Sequence, residues 1–241
     1  TSTDHNYVTD FVPTVDKLKL NDWLKSVVGL ELTSLEMGHF NAYPLALDPG
    51  AVTHGSFRWF RRPPGELFAQ LRGLGKDPQK TIVQVNHPRD TVLGYFNAFN
   101  IGTYTGTPIP PTSSFPLDTS PLADGGVSPY DPSNFSLDFD ALEVFNGKRD
   151  ELIFTRTVPA VPPPGPEPTL KPCAQGQVAD CIPGVGEIIH TKVTLPDGGT
   201  QLQPAFPGAL DEWFTLLGQG RHITATGNSD SHGPKAEAGT P

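Results

Sequence analysis

A chain of 241 residues is long enough to form one α/β domain with a substantial core. Its net charge of −9 argues against a nucleic-acid partner, because a broad nucleic-acid footprint needs clustered lysine and arginine. A membrane partner is not expected either, since no apolar run approaches the roughly 20 residues of a membrane-spanning helix. The 27 prolines and 25 glycines indicate long ordered loops.

Helix and strand patterns alternate along the chain wherever they are legible. Apolar spacing and turn residues predict helices over residues 15–27, 66–74 and 210–217, and strands over 30–33, 38–43, 81–85, 141–145 and 221–226. This alternation favours a parallel α/β architecture.

Two segments rich in proline and glycine interrupt the alternation, at about 97–134 and about 158–200. We expect both to be insertions in a single domain spanning residues 1–241. The second contains the two cysteines, Cys173 and Cys181, which suit a small disulfide in an oxidising compartment, with two free thiols as the alternative. An extracytoplasmic location, periplasmic or secreted, is therefore expected. The chain opens at Thr1 without an initiator methionine, so we also expect it to be cut from a longer protein.

Ionisable side chains stand at or near the ends of four of these predicted strands, and at His5, where a preceding strand is expected to have ended. They are His5, Glu31, His39, His87, and the pair Asp230 and His232. In a parallel sheet or barrel such residues meet at one edge, and residues two apart on extended backbone point the same way. Imidazoles and carboxylates without thiolates suit Zn, Mn or Fe, and several such ions at once. Taken singly, each residue has an alternative role in capping, packing or a salt bridge.

Six short motifs resemble those of the PHP superfamily, named for polymerase and histidinol phosphatase, and most closely its carbaryl-hydrolase-like branch. In chain order they are Thr-Asp-His-Asn at 3–6, Gly-x-Glu at 29–31, Gly-His-Phe-Asn at 38–41, Asn-His-Pro at 86–88, Glu-Val-Phe-Asn-Gly at 143–147 and Ser-Asp-Ser-His at 229–232. One departure is that the His-x-His motif with which members of this family begin is absent from this sequence.

The resemblance implies a distorted (β/α)7 barrel, N-terminally truncated here, that holds two or three divalent metal ions. By motif, the ligand positions are His5, Glu31, His39, His87, Asp230 and His232, with Glu31 as the bridge between ions. Asp4 is expected to orient its neighbour, and Glu143 and Asn146 to shape or line the cleft.

These residues lead us to expect metal-dependent hydrolysis of a small, anionic phosphoester by a hydroxide that bridges two ions. Asp230 and His232 are candidates for proton transfer, and Arg89 for stabilising charge on the substrate, with an exposed loop charge as its alternative role. Two other functions stay open, namely hydrolysis of a carbamate, ester or amide, and a catalytically impaired accessory or binding domain. A serine nucleophile is disfavoured, because Ser229 and Ser231 are not in a Gly-x-Ser-x-Gly elbow. His54, His190 and His222 match no motif and serve as controls.

Overall fold

The protein is described from a computed structural model, which covers residues 1–34, 37–90, 93–108, 131–146, 181–182, 186–187, 190–194, 200–204 and 208–231. The helices are α1 (Val12–Lys17), α2 (Pro64–Gly73), α3 (Tyr95–Ala98) and α4 (Ala209–Gly218), with short 3-10 helices at Val52–Gly55 and Pro132–Asn134. The strands are β1 (Leu30–Ser34), β2 (Gly38–Tyr43), β3 (Ile82–Val85), β4 (Ala141–Asn146), β5 (Cys181–Ile182), β6 (Gly186–Glu187), β7 (His190–Thr194), β8 (Thr200–Pro204) and β9 (Thr224–Asn228).

Five of these strands form one open, mixed sheet in the order β1-β2-β3-β4-β9. The pairs β1/β2 and β2/β3 are antiparallel, whereas β3/β4 and β4/β9 are parallel. Strands β5/β6 and β7/β8 form two separate antiparallel pairs. These pairs lie in and just after the second predicted insertion, most of which is outside the described residues, as are residues 109–130 of the first.

The predicted (β/α)7 barrel is wrong. Only residues 35–37 separate β1 from β2, and so short a connection can join neighbouring strands only as an antiparallel hairpin. A parallel crossover needs a dozen or more residues, usually with a helix. The described part of the chain therefore supplies parallel pairing on one side of the sheet only, and the sheet stays open.

One face of the sheet is apolar and carries the core. Alternate residues of the strands, including Leu32, Phe40 and Val85, are fully buried on this face. They belong to one cluster with Phe68 of α2 and Tyr95 of α3, and the rings of Phe40 and Phe68 meet edge to face with their centres 5.0 Å apart. The helices thus cover one face and leave the polar side chains of the same strands on the other.

Within the described residues, no helix combines the length and the apolar character needed to cross a membrane.

Candidate metal centre

Strand periodicity places Glu31 and His39 together on the polar face of the sheet, and His87 joins them from the turn that follows β3, where its φ of 26° departs from the strand conformation. In β1 and β2, Glu31 and His39 alternate with buried apolar residues. His87 lies two residues after the end of β3, next to Asn86. Because β2 runs antiparallel to β1 and β3, its first residues lie at the same edge as the last residues of those strands. His39 therefore joins the site from the start of a strand, although the sequence prediction relied on strand ends.

Glu31, His39 and His87, called here the metal group, are all buried and bring one ligand atom each within 4.8 Å of one another. Glu31 Oε1 lies 2.7 Å from His39 Nδ1, and His87 Nε2 lies 3.1 Å from that same nitrogen. Two histidines and a glutamate are a ligand set found in catalytic zinc sites, which keep a further position open for water or substrate.

Protons alone do not satisfy these two contacts. An imidazole nitrogen either carries one hydrogen or offers one lone pair, so His39 Nδ1 can serve Glu31 or His87 but not both. A cation bound by lone pairs from all three side chains removes this conflict. His39 Nε2 is also buried and has no hydrogen-bond partner within the described part of the chain. The residues present therefore fit a divalent metal ion.

The second carboxylate oxygen of Glu31 faces a different histidine. Its Oε2 lies 3.9 Å from Nδ1 of His5, whose side chain is 46% exposed and also contacts the hydroxyl of Thr33. Burial alone would raise the pKa of Glu31, but the hydrogen bond from His39 and the charges of His39, His5 and His87 lower it. The carboxylate is therefore held in the ionised form that ligation requires, with Oε1 towards His39 and Oε2 towards His5.

Glu143 supports the metal group from β4 through the backbone of His87. Its Oε2 accepts a hydrogen bond from the His87 N–H and a 3.3 Å bond from Asn146 Nδ2, and its Oε1 accepts one of 2.7 Å from Asn228. Burial raises the pKa of Glu143 to about 7, although the hydrogen bonds from Asn228, His87 and Asn146 act in the opposite direction. His87 has a left-handed φ of 26°, an unfavourable conformation for a residue with a side chain, which this hydrogen bond holds in place.

Of the other predicted site residues, Asp4 and Asp230 are described by the structure and neither belongs to the metal group. Asp4 is exposed, and its backbone carbonyl accepts a 3.0 Å hydrogen bond from the Glu31 N–H. Asp230 follows β9 and accepts a 3.4 Å hydrogen bond from Asn146 Nδ2, so Asn146 connects it to Glu143. His232 lies outside the described residues, and so do the side chains of Cys173 and Cys181.

The Arg89 guanidinium contacts residues outside the metal group and the cleft. Its Nη2 donates to Glu212 Oε1 of α4 at 2.8 Å and to the carbonyl of Ile101, and its Nη1 donates to Asn97 Oδ1 at 3.1 Å. Burial raises the pKa of Glu212, although the Arg89 guanidinium acts against this shift. The structure thus gives Arg89 a contact between α4 and the loop after β3, away from the candidate substrate site.

A cleft of about 950 Å³ opens on the polar face above the metal group. Its lining includes Glu31 and His87 from that group, His5, and four carboxylates in all, which belong to Asp4, Glu31, Glu143 and Asp230. Among the described residues that line it, none is lysine or arginine. The described lining therefore offers no lysine or arginine to balance the charge of an anionic ligand.

Sequence reasoning missed three buried amides that also line the cleft, Asn41, Gln84 and Asn86. A signal for them was present, because polar residues recur at every second position in His39-Asn41-Tyr43 and in Gln84-Asn86. Such alternation in strands that bury apolar residues on one face indicates a second face shaped by polar groups.

No family model, curated protein or solved structure matches the chain.

Proposed function

We propose that the protein is a metal-dependent hydrolase whose metal centre is built on Glu31, His39 and His87. The single observation that carries this proposal is the convergence of Glu31 Oε1, His39 Nδ1 and His87 Nε2, whose contacts protons cannot all satisfy. A divalent ion held there would lower the pKa of a bound water and polarise the bond to be cleaved. The adjacent cleft of about 950 Å³ offers room for a small substrate.

The proposal extends to a second ion next to the first. Glu31 directs Oε1 to His39 and Oε2 towards His5, a geometry that suits a carboxylate shared by two ions. The motif resemblance assigns Asp230 and His232 to the same centre, and Asp230 lines the cleft. Zn, Mn and Fe are the candidates, because the donor atoms are nitrogen and oxygen without thiolate.

A phosphoester is the first substrate class proposed, on the strength of the motif resemblance. Two or three divalent ions would supply the positive charge that the described lining of the cleft lacks.

A neutral carbamate, ester or amide is the second class, and a specific observation favours it. The described lining carries four carboxylates and no lysine or arginine, and Arg89 is held by Glu212. An uncharged carbonyl substrate would enter such a cleft without repulsion from these carboxylates.

The test is metal content followed by turnover. Purified protein is dialysed against Zn²⁺ or Mn²⁺ and its bound metal is measured by elemental analysis, for the wild type, Glu31→Gln and the exposed control Glu66→Gln. We expect at least one ion per chain in the wild type and in the control, and loss of metal in Glu31→Gln. Metal-loaded protein is then assayed on a nitrophenyl phosphomonoester, a phosphodiester, a carboxylic ester and a naphthyl carbamate.

The outcomes separate the candidate functions. Turnover of one class that disappears in Glu31→Gln supports the hydrolase and identifies its bond. Stoichiometric metal without turnover of any ester favours a binding domain instead. Absence of bound metal in the wild type would refute the metal centre itself.

A further inference from the structure

A row of hydrogen-bonded side chains crosses the polar face of the sheet from β2 to β3 and back. The Tyr43 hydroxyl donates to Gln84 Oε1 at 2.9 Å, and Gln84 Nε2 donates to Asn86 Oδ1 at 2.8 Å. Asn86 Nδ2 then donates to Asn41 Oδ1 at 2.9 Å. We call these four residues the amide row, and every one of its bonds is donated in the same direction, towards Asn41.

The direction of the row determines which atom of Asn41 is left for the cleft. Gln84, Asn86 and Asn41 are 1%, 4% and 7% exposed, and buried amides of this kind need partners for both their oxygen and their nitrogen. The oxygen of Asn41 is already occupied by Asn86. Its Nδ2 donates to no acceptor within the described part of the chain, although the side chain lines the cleft. Among the described residues, the row therefore ends in a hydrogen-bond donor that has no acceptor.

This donor lies beside the metal group. Asn41 is directly opposite Glu31 in the antiparallel register of β1 and β2, where facing Cβ atoms are about 5 Å apart. It also follows His39 by two residues, so the two side chains leave the same face of β2. An oxygen atom of a molecule bound at the metal group would be within reach of the Asn41 amide.

We propose that Asn41 is a specificity-determining residue whose Nδ2 donates a hydrogen bond to the acceptor oxygen of the substrate. That oxygen is the carbonyl oxygen of an ester, carbamate or amide, or a phosphoryl oxygen, and both are acceptors next to the bond that is cleaved. This inference rests on the proposed metal-dependent hydrolase. It adds an oriented, uncharged donor to a cleft whose described charged side chains are carboxylates and imidazoles.

Gln84 and Asn86 act as positioning residues in this arrangement. Asn86 donates to the Asn41 oxygen, and Gln84 orients Asn86 by donating to its Oδ1, so that the Asn41 amide presents hydrogen atoms to the cleft without reorganisation when a substrate enters. A donor that is oriented before the reaction is the kind of group that stabilises charge developing on a substrate oxygen.

The alternative is that Asn41 only completes the amide row, and two substitutions distinguish these roles. Asn41→Asp keeps an oxygen that accepts from Asn86 but places a second acceptor where the donor was. Asn41→Ala removes the donor without adding a charge. Asn21→Asp is the matched control, since Asn21 is exposed and is not among the residues lining the cleft.

The experiment measures binding of inorganic phosphate to Zn²⁺-loaded full-length protein, so that it does not depend on finding the natural substrate. Zinc content is determined by elemental analysis and phosphate affinity by calorimetry. The side-chain amide signal of Asn41 is assigned in ¹⁵N correlation spectra by its absence from Asn41→Asp. The ester panel is then used to compare KM and kcat for carbonyl and phosphoryl substrates.

We expect zinc content to be unchanged in all three variants and the Asn41 amide signal to shift when phosphate binds. Phosphate affinity should fall about tenfold or more in both Asn41 variants, the size expected for a hydrogen bond to a charged group, and stay unchanged in Asn21→Asp. With substrates, the same variants should lose kcat/KM, and the class that loses more identifies the preferred acceptor.

Three results would overturn the inference. If Asn41→Ala binds phosphate like the wild type, the donor has no role, and an effect of Asn41→Asp alone is then only charge repulsion. If both variants bind normally, Asn41 is structural while the metal centre stands. If the wild type takes up no zinc, the proposed function fails, and the inference fails with it.

Discussion

At the scale of single residues, contacts within the site fix both the side chain and the backbone of His87. Its side chain belongs to the metal group, its N–H is bonded to Glu143, and its φ of 26° is held in the left-handed region. His54 makes a useful contrast, because its imidazole contacts the Tyr7 hydroxyl at 2.9 Å and does not line the cleft. Of these two histidines, the structure thus places only His87 at the cleft.

His87→Ala should abolish metal binding at the metal group, since one of the three proposed ligands is lost. His54→Ala should leave metal content and any hydrolytic activity as in the wild type. The metal content of both dialysed variants is measured by elemental analysis, and circular dichroism confirms that they are folded. Retention of full metal by His87→Ala, or its loss in His54→Ala, would mean that the ligands have been assigned incorrectly.

Glu143 acts through His87, and its substitution should weaken metal binding without removing a ligand. We expect Glu143→Ala to lower Zn²⁺ affinity by about 10–100-fold, the size typical for partners that orient metal ligands. Glu143→Gln should lose less Zn²⁺ affinity, because its amide oxygen can still accept a hydrogen bond from the His87 N–H. Competition with a zinc-binding dye measures the affinities. Equal affinity in Glu143→Ala and the wild type would exclude this positioning role.

At the scale of elements, the hairpin of β1 and β2 brings the site together. Gly38 begins β2 with a φ of 103°, and a Cβ at this position would lie 2.8 Å from the backbone nitrogen of Tyr95. Only glycine tolerates both conditions, so the strand can start next to α3 and present His39 one residue later. Helix α2 then covers the apolar face of the same strands through Phe68.

Phe68→Ala should destabilise the fold by about 3–5 kcal/mol, because the ring is fully buried against Phe40 and Tyr95. Phe60→Ala is the matched control, since the Phe60 side chain is 57% exposed. We expect the control to change stability by less than about 1 kcal/mol. Denaturant unfolding measures both free energies, and similar losses in the two variants would mean that the core is placed incorrectly.

At the scale of the whole molecule, a buried ion pair connects helix α4 to the loop that carries His87. Arg89 and Glu212 meet at 2.8 Å with side-chain exposures of 10% and 1%. A buried pair of this kind is costly to break, because the remaining charge has no partner. The contact therefore relates the C-terminal part of the chain to the sheet edge at which the metal group lies.

Arg89→Ala should lower the free energy of unfolding by about 3–5 kcal/mol while the folded protein still binds metal. Replacing both partners, as Arg89→Met with Glu212→Leu, should recover most of this loss, since no buried charge is then unpaired. Thermal and denaturant unfolding test the pair of variants. If Arg89→Ala instead kept its stability and lost only turnover, the predicted catalytic role of Arg89 would be supported.

The residue pattern alone was sufficient to locate the strands that bear Glu31 and His39 and the strand that leads to His87, and to predict that these side chains lie together. That they bind metal stays a prediction. Local alternation of apolar and polar residues decides such features, because it sets which face of a strand is buried. It also placed α2 and α4 nearly where they lie. The predicted helix over 15–27 was mostly wrong, since α1 covers Val12–Lys17 and Lys19 adopts a left-handed φ of 56°.

Features that depend on contacts between distant segments of the chain were decided only by the tertiary structure. Strand direction depends on how connections pack, so the short link between β1 and β2 produced an open mixed sheet where a barrel was predicted. The partners of charged groups depend on distant elements, so Arg89 joined Glu212, 123 residues away. The direction of the amide row likewise arises only when β2 and β3 lie side by side. Local residue patterns and motifs thus pointed to the candidate ligands, whereas pairing between remote segments determined the shape and polarity of the site around them.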